Sequence, residues 1–344
     1  MAELGQRAGE EAHVAETRPF RRVGTAIARY GSFNWAGLLL AIIAVGIVFA
    51  LTSPYFATTP NFANLSRAVG YTGIVAAITT LVLVSGALDL SIAAMMSLAG
   101  VTTAALLRGG QPWEIAIAGG LGIGLVGGAL NGLIVTRTGI NPLIATIATQ
   151  FLMRGVAFLI SAGFPISMHE PVVSALGAGN ITGVPVPAVL MILAFIVVGF
   201  LLNYTRFGIH AFAIGGSPGG SMARLAGVPV LRRKLQIYML SGLFAAIGGI
   251  VLLGYISTGD PNAAFGQELP IIAAVIMGGT ALGGGRGSVF GTLLGVVLLG
   301  EIYNGLTLNN VTSDWQYVVQ GIALLIAVFI DEYRSRKTRT EQGR

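Results

Sequence analysis

Residues 206–234 read RFGIHAFAIGGSPGGSMARLAGVPVLRRK. Five of them are Lys or Arg and none is acidic. Apolar runs flank the stretch on both sides, at 186–203 and 236–256. The stretch is long enough for a short amphipathic helix. Basic residues between two apolar spans mark a loop on the cytoplasmic face of a membrane. That placement sets the direction of every other segment.

The chain has 344 residues, of which 54% are hydrophobic and 10% charged, with a mean hydropathy of +0.80. Soluble domains carry about 25% charged residues. Charge this sparse cannot solvate a globular surface, so lipid is the solvent for most of the chain. A bilayer core takes about 20 helical residues to cross. On that ruler ten spans are expected: 35–52, 64–84, 91–107, 114–136, 142–161, 186–203, 236–256, 268–283, 288–306 and 315–331. The third and eighth are short, and either fits a half-helix buried in protein.

With the N-terminus inside, the cytoplasmic segments hold 17 of the 20 Lys and Arg. They lie in the N-terminal tail, at Arg137, in 206–234, at Arg286 and after residue 331. Arg67 and Arg108 fall outside, and Arg154 lies within a span. The outer loops hold Glu114, Glu170, Asp260, Glu268 and Asp314. This asymmetry satisfies the positive-inside rule. The expected fold is an all-α polytopic membrane protein of about ten transmembrane helices with both termini cytoplasmic. Residues 1–34 are a cytoplasmic tail, 35–331 the transmembrane domain with a cytoplasmic loop at 204–235, and 332–344 a second cytoplasmic tail. The first tail mixes acids and bases, unlike a secretory leader, and the first span is expected to be retained.

There are no cysteines, and His13, His169 and His210 lie far apart, so no metal site is expected. The net charge of +6 serves topology, and with no soluble basic domain no nucleic-acid partner is expected. GTALGGGRGS at 279–288 lacks the Lys-Ser/Thr that follows the last glycine of a phosphate loop. The GLGIG run ending at Gly124 lies inside a span and fails as a dinucleotide fingerprint. No nucleophile triad or HExxH is present. The chain is expected to have no catalytic residues and to take its energy from another protein.

Gly120, Gly124, Gly128 and Gly132 share one helix face, as do Gly287, Gly291 and Gly295. Such faces let helices pack closely, either statically or as a sliding interface. VSGALDLSIAAMMSLA (84–99) and MGGTALGGGRGSVFGTLL (277–294) are alike: a span, a glycine-rich break with one charge, then a second span. Asp89 is expected to cap the helix after its break. Arg154 either ties neighbouring helices together or lines a pathway. Glu301 lies in span nine. Asn131, Asn141, Gln150, Asn304, Asn309, Asn310 and Gln320 are polar and uncharged near span ends. A path for a hydroxyl-rich solute uses such groups, and so does hydrogen bonding between helices. The charges are isolated, which argues against an ion-coupled carrier.

Four blocks carry a resemblance: GALDLSIAAMMSLAG (86–100), GALNGLIVTRTGINPLIATIATQFLMRGVAF (128–158), TRFGIHAFAIGGSPGGSMARLAGVPV (205–230) and GGTALGGGRGSVFGTLLG (278–295). From about residue 55 to 331 the chain resembles the permease subunits of bacterial ABC importers for ribose, xylose, arabinose and related sugars. The resemblance implies a transmembrane permease that moves a monosaccharide, a pentose or hexose, across the bacterial inner membrane. It implies a homodimer, a separate ABC ATPase subunit that binds ATP-Mg, and a periplasmic sugar-binding protein. No cofactor is implied on this chain. The 205–230 block resembles the loop that docks on the ATPase, implying a docking helix from Ser217 to Gly227 with Gly220, Met222, Arg224, Leu225 and Ala226. Arg232, Arg233 and Lys234 either add contacts or set topology. Glu170, in the outer loop 162–185, is the candidate for binding-protein contact. The Arg-Gly pair of the family matches Arg154 and Gly155 and points to a structural Arg154.

The chain departs from the pattern at Ala87, where a second glycine is usual, at Ala93 and Ala94, and within SPGGSMARLAG. Glu301-Ile302-Tyr303 is also unusual, and Glu301 is a candidate for tuning solute preference. The candidate pathway residues are Asp89, Asn131, Asn141, Gln150, Arg154, Glu301 and Asn304. The alternatives are a permease of the same architecture for a nucleoside or a branched amino acid, and an ion-coupled carrier.

Overall fold

The computed structural model describes residues 35–342. The expectations for the 1–34 tail lie outside the described residues. Thirteen α-helices follow one another: α1 (Trp35–Thr52), α2 (Thr59–Val84), α3 (Ile92–Arg108), α4 (Trp113–Thr138), α5 (Pro142–Ser161), α6 (Pro171–Ala178), α7 (Val186–Tyr204), α8 (Arg206–Gly215), α9 (Ser221–Leu225), α10 (Val230–Ile256), α11 (Glu268–Met277), α12 (Val289–Leu308) and α13 (Ser313–Gln342). In lipid a helix is one of the few ways to satisfy every backbone group, so long apolar runs become helices. Seven of the described helices are long and apolar enough to cross a bilayer: α1, α2, α4, α5, α7, α10 and α12. Ile92–Arg108, Glu268–Met277 and Ser313–Phe329 are shorter apolar stretches.

Several ends differ from the sequence expectation. α2 starts at Thr59 rather than 64, because the Thr58 hydroxyl caps it by accepting from Asn61 N–H and Pro60 suits the first turn. α10 starts at Val230 rather than 236 and takes the basic cluster into its first turns. α11 ends at Met277 rather than 283, where the glycines begin. At about 15 Å it is half the length a span needs. α13 runs on to Gln342, past the apolar stretch that ends at Phe329.

α2 and α10 are buried along most of their length and form the centre of the bundle. The glycine face of α4 closes on α10. A Cβ on Gly124 would lie 2.5 Å from Ala246 Cβ and 2.6 Å from the Gly242 carbonyl, and one on Gly128 would lie 2.9 Å from Met239 Cα. Bare backbone on both sides supplies van der Waals contact that lipid cannot replace. Gly291 and Gly295 play the same part between α12 and α11, against Gly278 and Ala274.

The two alike segments are both helix–turn–helix units, α2–α3 and α11–α12. Their turns meet: Gly285 N–H donates to the Val84 carbonyl at 2.8 Å. Gly86 and Gly284 sit at φ +69° and +82°, a region open to glycine.

The 162–185 loop is ordered by its partners. β1 (Ile166–Ser167) pairs antiparallel with β4 (Thr258–Gly259), and β2 (Asn180–Ile181) with β3 (Val184–Pro185). Between β1 and β2, α6 packs on α10, with Gly177 against the backbone of Gly254 and Tyr255.

Candidate functional site

A cavity of about 360 Å³ lies among α2, α10, α11, α12 and α13. That is within the range of roughly 300–1,000 Å³ for small-molecule sites. Amides reach it from Asn64, Gln267, Asn304, Gln316 and Gln320, and hydroxyls from Tyr71, Thr72, Tyr255, Tyr303 and Thr307. The apolar remainder includes Leu65, Ile271 and Leu299, and no charged side chain lines it. The residues come from the starts of α2, α11 and α13 and the ends of α10 and α12, so one end of the bundle builds the whole cavity.

Its polar groups are held from behind. Asn304 and the buried Asn61 exchange two hydrogen bonds, 2.8 and 2.9 Å long, and Asn61 Nδ2 also donates to the Phe56 carbonyl at 2.9 Å. Arg67 donates at 3.1 Å to both Asn64 and Asn180, which fixes Asn64. The Tyr71 and Tyr255 rings pair at 6.2 Å. The Tyr303 hydroxyl is buried without a hydrogen-bond partner. A site of many neutral donors and acceptors beside flat rings suits an uncharged polyhydroxyl molecule.

Of the sequence candidates, Asn304 and Gln320 reach this cavity. The others are placed elsewhere. Asp89 does not cap α3, whose N-cap is Ser91. It is fully enclosed and ties three elements together. Its Oδ1 accepts from Ser91 N at 3.0 Å, Ser91 Oγ at 2.6 Å and Asn131 Nδ2 at 3.4 Å; its Oδ2 accepts from Ser241 Oγ at 2.8 Å. Burial explains the change, since an enclosed carboxylate needs every available donor. Asn131 belongs to the same network and also donates to Ser91 Oγ at 2.7 Å. Asn141 is exposed and caps α5 by accepting from Leu143 N at 2.9 Å.

Gln150 donates to Glu268 Oε1 at 3.1 Å. The Arg154 guanidinium lies over the Phe265 ring at 4.1 Å, a cation–π contact. Its Nε and Nη2 have no hydrogen-bond partner. Glu301 faces α1, where a Cβ on Gly46 would lie 2.7 Å from Glu301 Oε1. It is absent from the cavity lining. Beside it on the same seam, Asn309 donates to Thr52 at 3.2 Å. Glu170 caps α6, accepting from Val172 N.

The connector between α7 and α10 holds two helical pieces rather than one. α8 is amphipathic and buries Gly208, Ala211 and Ile214. The helix expected from Ser217 to Gly227 shrinks to α9, five residues long, because Gly219 and Gly220 take positive φ before it and Gly227 after it. Ile214, Ala223 and Val230 form a small core of their own. This core turns Met222 and Leu225 outward, 68% and 85% exposed, beside an exposed Arg224. Ser217 Oγ donates to the Ala213 carbonyl at 3.4 Å. Arg233 reaches back from α10: its Nε donates to His210 Nδ1 at 3.0 Å and its guanidinium lies 5.3 Å from the Phe207 ring centre.

Sequence reading missed Asn61, Asn64, Tyr71, Tyr255 and Gln316. The signal available was polar and aromatic residues recurring at the same ends of successive spans.

The family described as "Branched-chain amino acid transport system / permease component" matches residues 61–328. The L-arabinose transport system permease protein AraH of Escherichia coli is 40% identical over 304 residues, 88% of this chain and 92% of that protein. The ribose import permease protein RbsC of Bacillus subtilis is 38% identical over 307 residues, 89% of this chain and 95% of that protein. A probable ABC transporter permease protein of Escherichia coli, YphD, is 38% identical over 86% of this chain and 88% of its own length. No solved structure matches.

Proposed function

Since the chain belongs to the family of permease components of branched-chain amino acid transport systems, we propose that it is the multi-pass membrane subunit of an ABC importer for a monosaccharide, a pentose or hexose. The family description names an amino acid, whereas the arabinose and ribose relatives are named for sugars. The lining of the cavity carries the choice. A zwitterion needs charged partners when it leaves water, and this lining has ten amide or hydroxyl side chains and no charge.

The chain sits in the bacterial inner membrane with ten crossings, both termini cytoplasmic, and works as a pair of copies. Seven long apolar helices and the shorter stretches Ile92–Arg108 and Ser313–Phe329 support nine of those crossings, and the half-length α11 with the glycine turn after it makes the tenth. The cavity then lies toward the outer face, where a periplasmic binding protein releases solute near Glu170. The connector lies on the cytoplasmic face, where a separate ATPase binds ATP-Mg. Met222, exposed beside Arg224, supports docking there, since Met and Arg are both enriched at protein interfaces. ATP-driven motion of the ATPase moves the helices between two packings, opening the cavity first outward and then inward.

Reconstitution tests this reading. The chain, its ATPase and its binding protein in proteoliposomes should accumulate labelled arabinose, ribose or a related sugar only with ATP. Excess leucine should not compete. Leucine uptake, or sugar uptake driven by an ion gradient without ATPase, would overturn it.

A further inference from the structure

α8, within the connector, and α10, which follows it, hold one turn, residues 85–91, between them. α8 reaches it through Gly215. A Cβ on Gly215 would meet the Val84 carbonyl and lie 2.7 Å from Gly285 N and 2.9 Å from Gly86 N. α10 reaches the same turn through two side chains. Tyr238 Oη donates to the Leu88 carbonyl at 3.1 Å, and Ser241 Oγ donates to Asp89 Oδ2 at 2.8 Å. Arg233 and His210 tie the two helices to each other.

From this turn two helices lead to the cavity. α2 runs back from Val84 to the lining residue Thr72, about 18 Å along its axis. α12 starts just after the second turn, which is bonded to Val84, and ends at Tyr303, Asn304 and Thr307 in the cavity wall. Backbone packed on backbone has no side chain that can yield, and a carboxylate held by three residues has one position. Such contacts pass a displacement on rather than absorb it.

We propose that α8 and α10 act as a clamp on the 85–91 turn, converting movement of the connector into movement of α2 and α12 at the solute cavity, with Gly215 and Asp89 as its positioning residues. This rests on the importer reading above.

The test measures ATP hydrolysed and sugar accumulated in the same proteoliposomes. Gly215→Ala should lower sugar moved per ATP roughly tenfold while stimulated hydrolysis stays within about twofold, the mark of broken coupling between sites. A loss that came only from damaged folding would lower both together and leave the ratio unchanged. Gly283→Ala is the matched control, because a Cβ there meets nothing within 4 Å, and its ratio should equal wild type. An unchanged ratio in Gly215→Ala, or an equal fall in Gly283→Ala, overturns the clamp. Should Gly215→Ala yield no folded protein, Ser241→Ala decides: a fall of about threefold is expected from losing one buried hydrogen bond, and an unchanged ratio overturns the proposal. Wild-type protein that hydrolyses ATP but accumulates no sugar would instead overturn the importer reading.

Discussion

The amides of Asn61 and Asn304 face each other and exchange two hydrogen bonds across 243 residues of sequence. One member of the pair is buried and the other lines the cavity, so the first sets how the second meets solute. Asn61→Ala should raise KM for sugar about 2- to 10-fold, the weight of one such hydrogen bond, with little change in kcat. Uptake kinetics over a range of binding-protein and sugar concentrations checks this. Asn304→Ala should cost at least as much.

Asp89 gathers donors from Ser91, Asn131 and Ser241. Asp89→Ala leaves those groups enclosed without an acceptor, at a cost of about 2–5 kcal/mol. Thermal unfolding in detergent should show a clear drop in Tm. Asp89→Asn keeps one acceptor oxygen and should fall between the two. Equal Tm values for all three proteins would remove the network from the account of stability.

Gly128 and Gly122 make a matched pair on α4. A leucine at 128 drives into the α10 backbone, whereas a Cβ at 122 meets nothing within 4 Å. Gly128→Leu should abolish the monodisperse peak in size-exclusion chromatography, and Gly122→Leu should keep it.

His210 accepts from Arg233 through Nδ1, which requires the neutral ring. Burial, then the charges of Arg233 and Arg206, hold its pKa below the usual 6.5. The unfolded chain therefore takes up the proton first as pH falls. The stability contributed by this contact is present above pH 6.5 and is lost as pH drops through the lowered folded value. Tm measured from pH 7.5 down to 5 should fall more for wild type than for His210→Gln. Parallel curves would refute the link.

The helices were legible where composition alone decides. Trp35–Thr52 and Pro142–Ser161 begin and end where their apolar runs do, because such runs bounded by polar turns form helices in lipid. Thr58, Pro229 and Gly278 moved other ends by capping and turn chemistry that hydropathy does not register. The repeat at 84–99 and 277–294 was visible as a pattern, but not that its two turns would touch. Asn304 and Gln320, which line the cavity, are polar residues near span ends. That criterion also selects Asn141, a helix cap, and Asn131, part of a buried network. Which polar residue faces the cavity depends on helix rotation against distant neighbours, and a single sequence does not encode that locally. Asn61 was missed because its partner lies so far along the chain.

The bond from Gly285 N–H to the Val84 carbonyl also orders events at the ribosome. α2 is made and inserted long before α11 and α12 exist. During that interval the carbonyl end of α2 and the glycine turn after it lack their later partner. A chain stopped before residue 278 never gains the Gly285 N–H that caps the Val84 carbonyl. The turn after α2 thus acquires its final partner only once the last fifth of the polypeptide has been made.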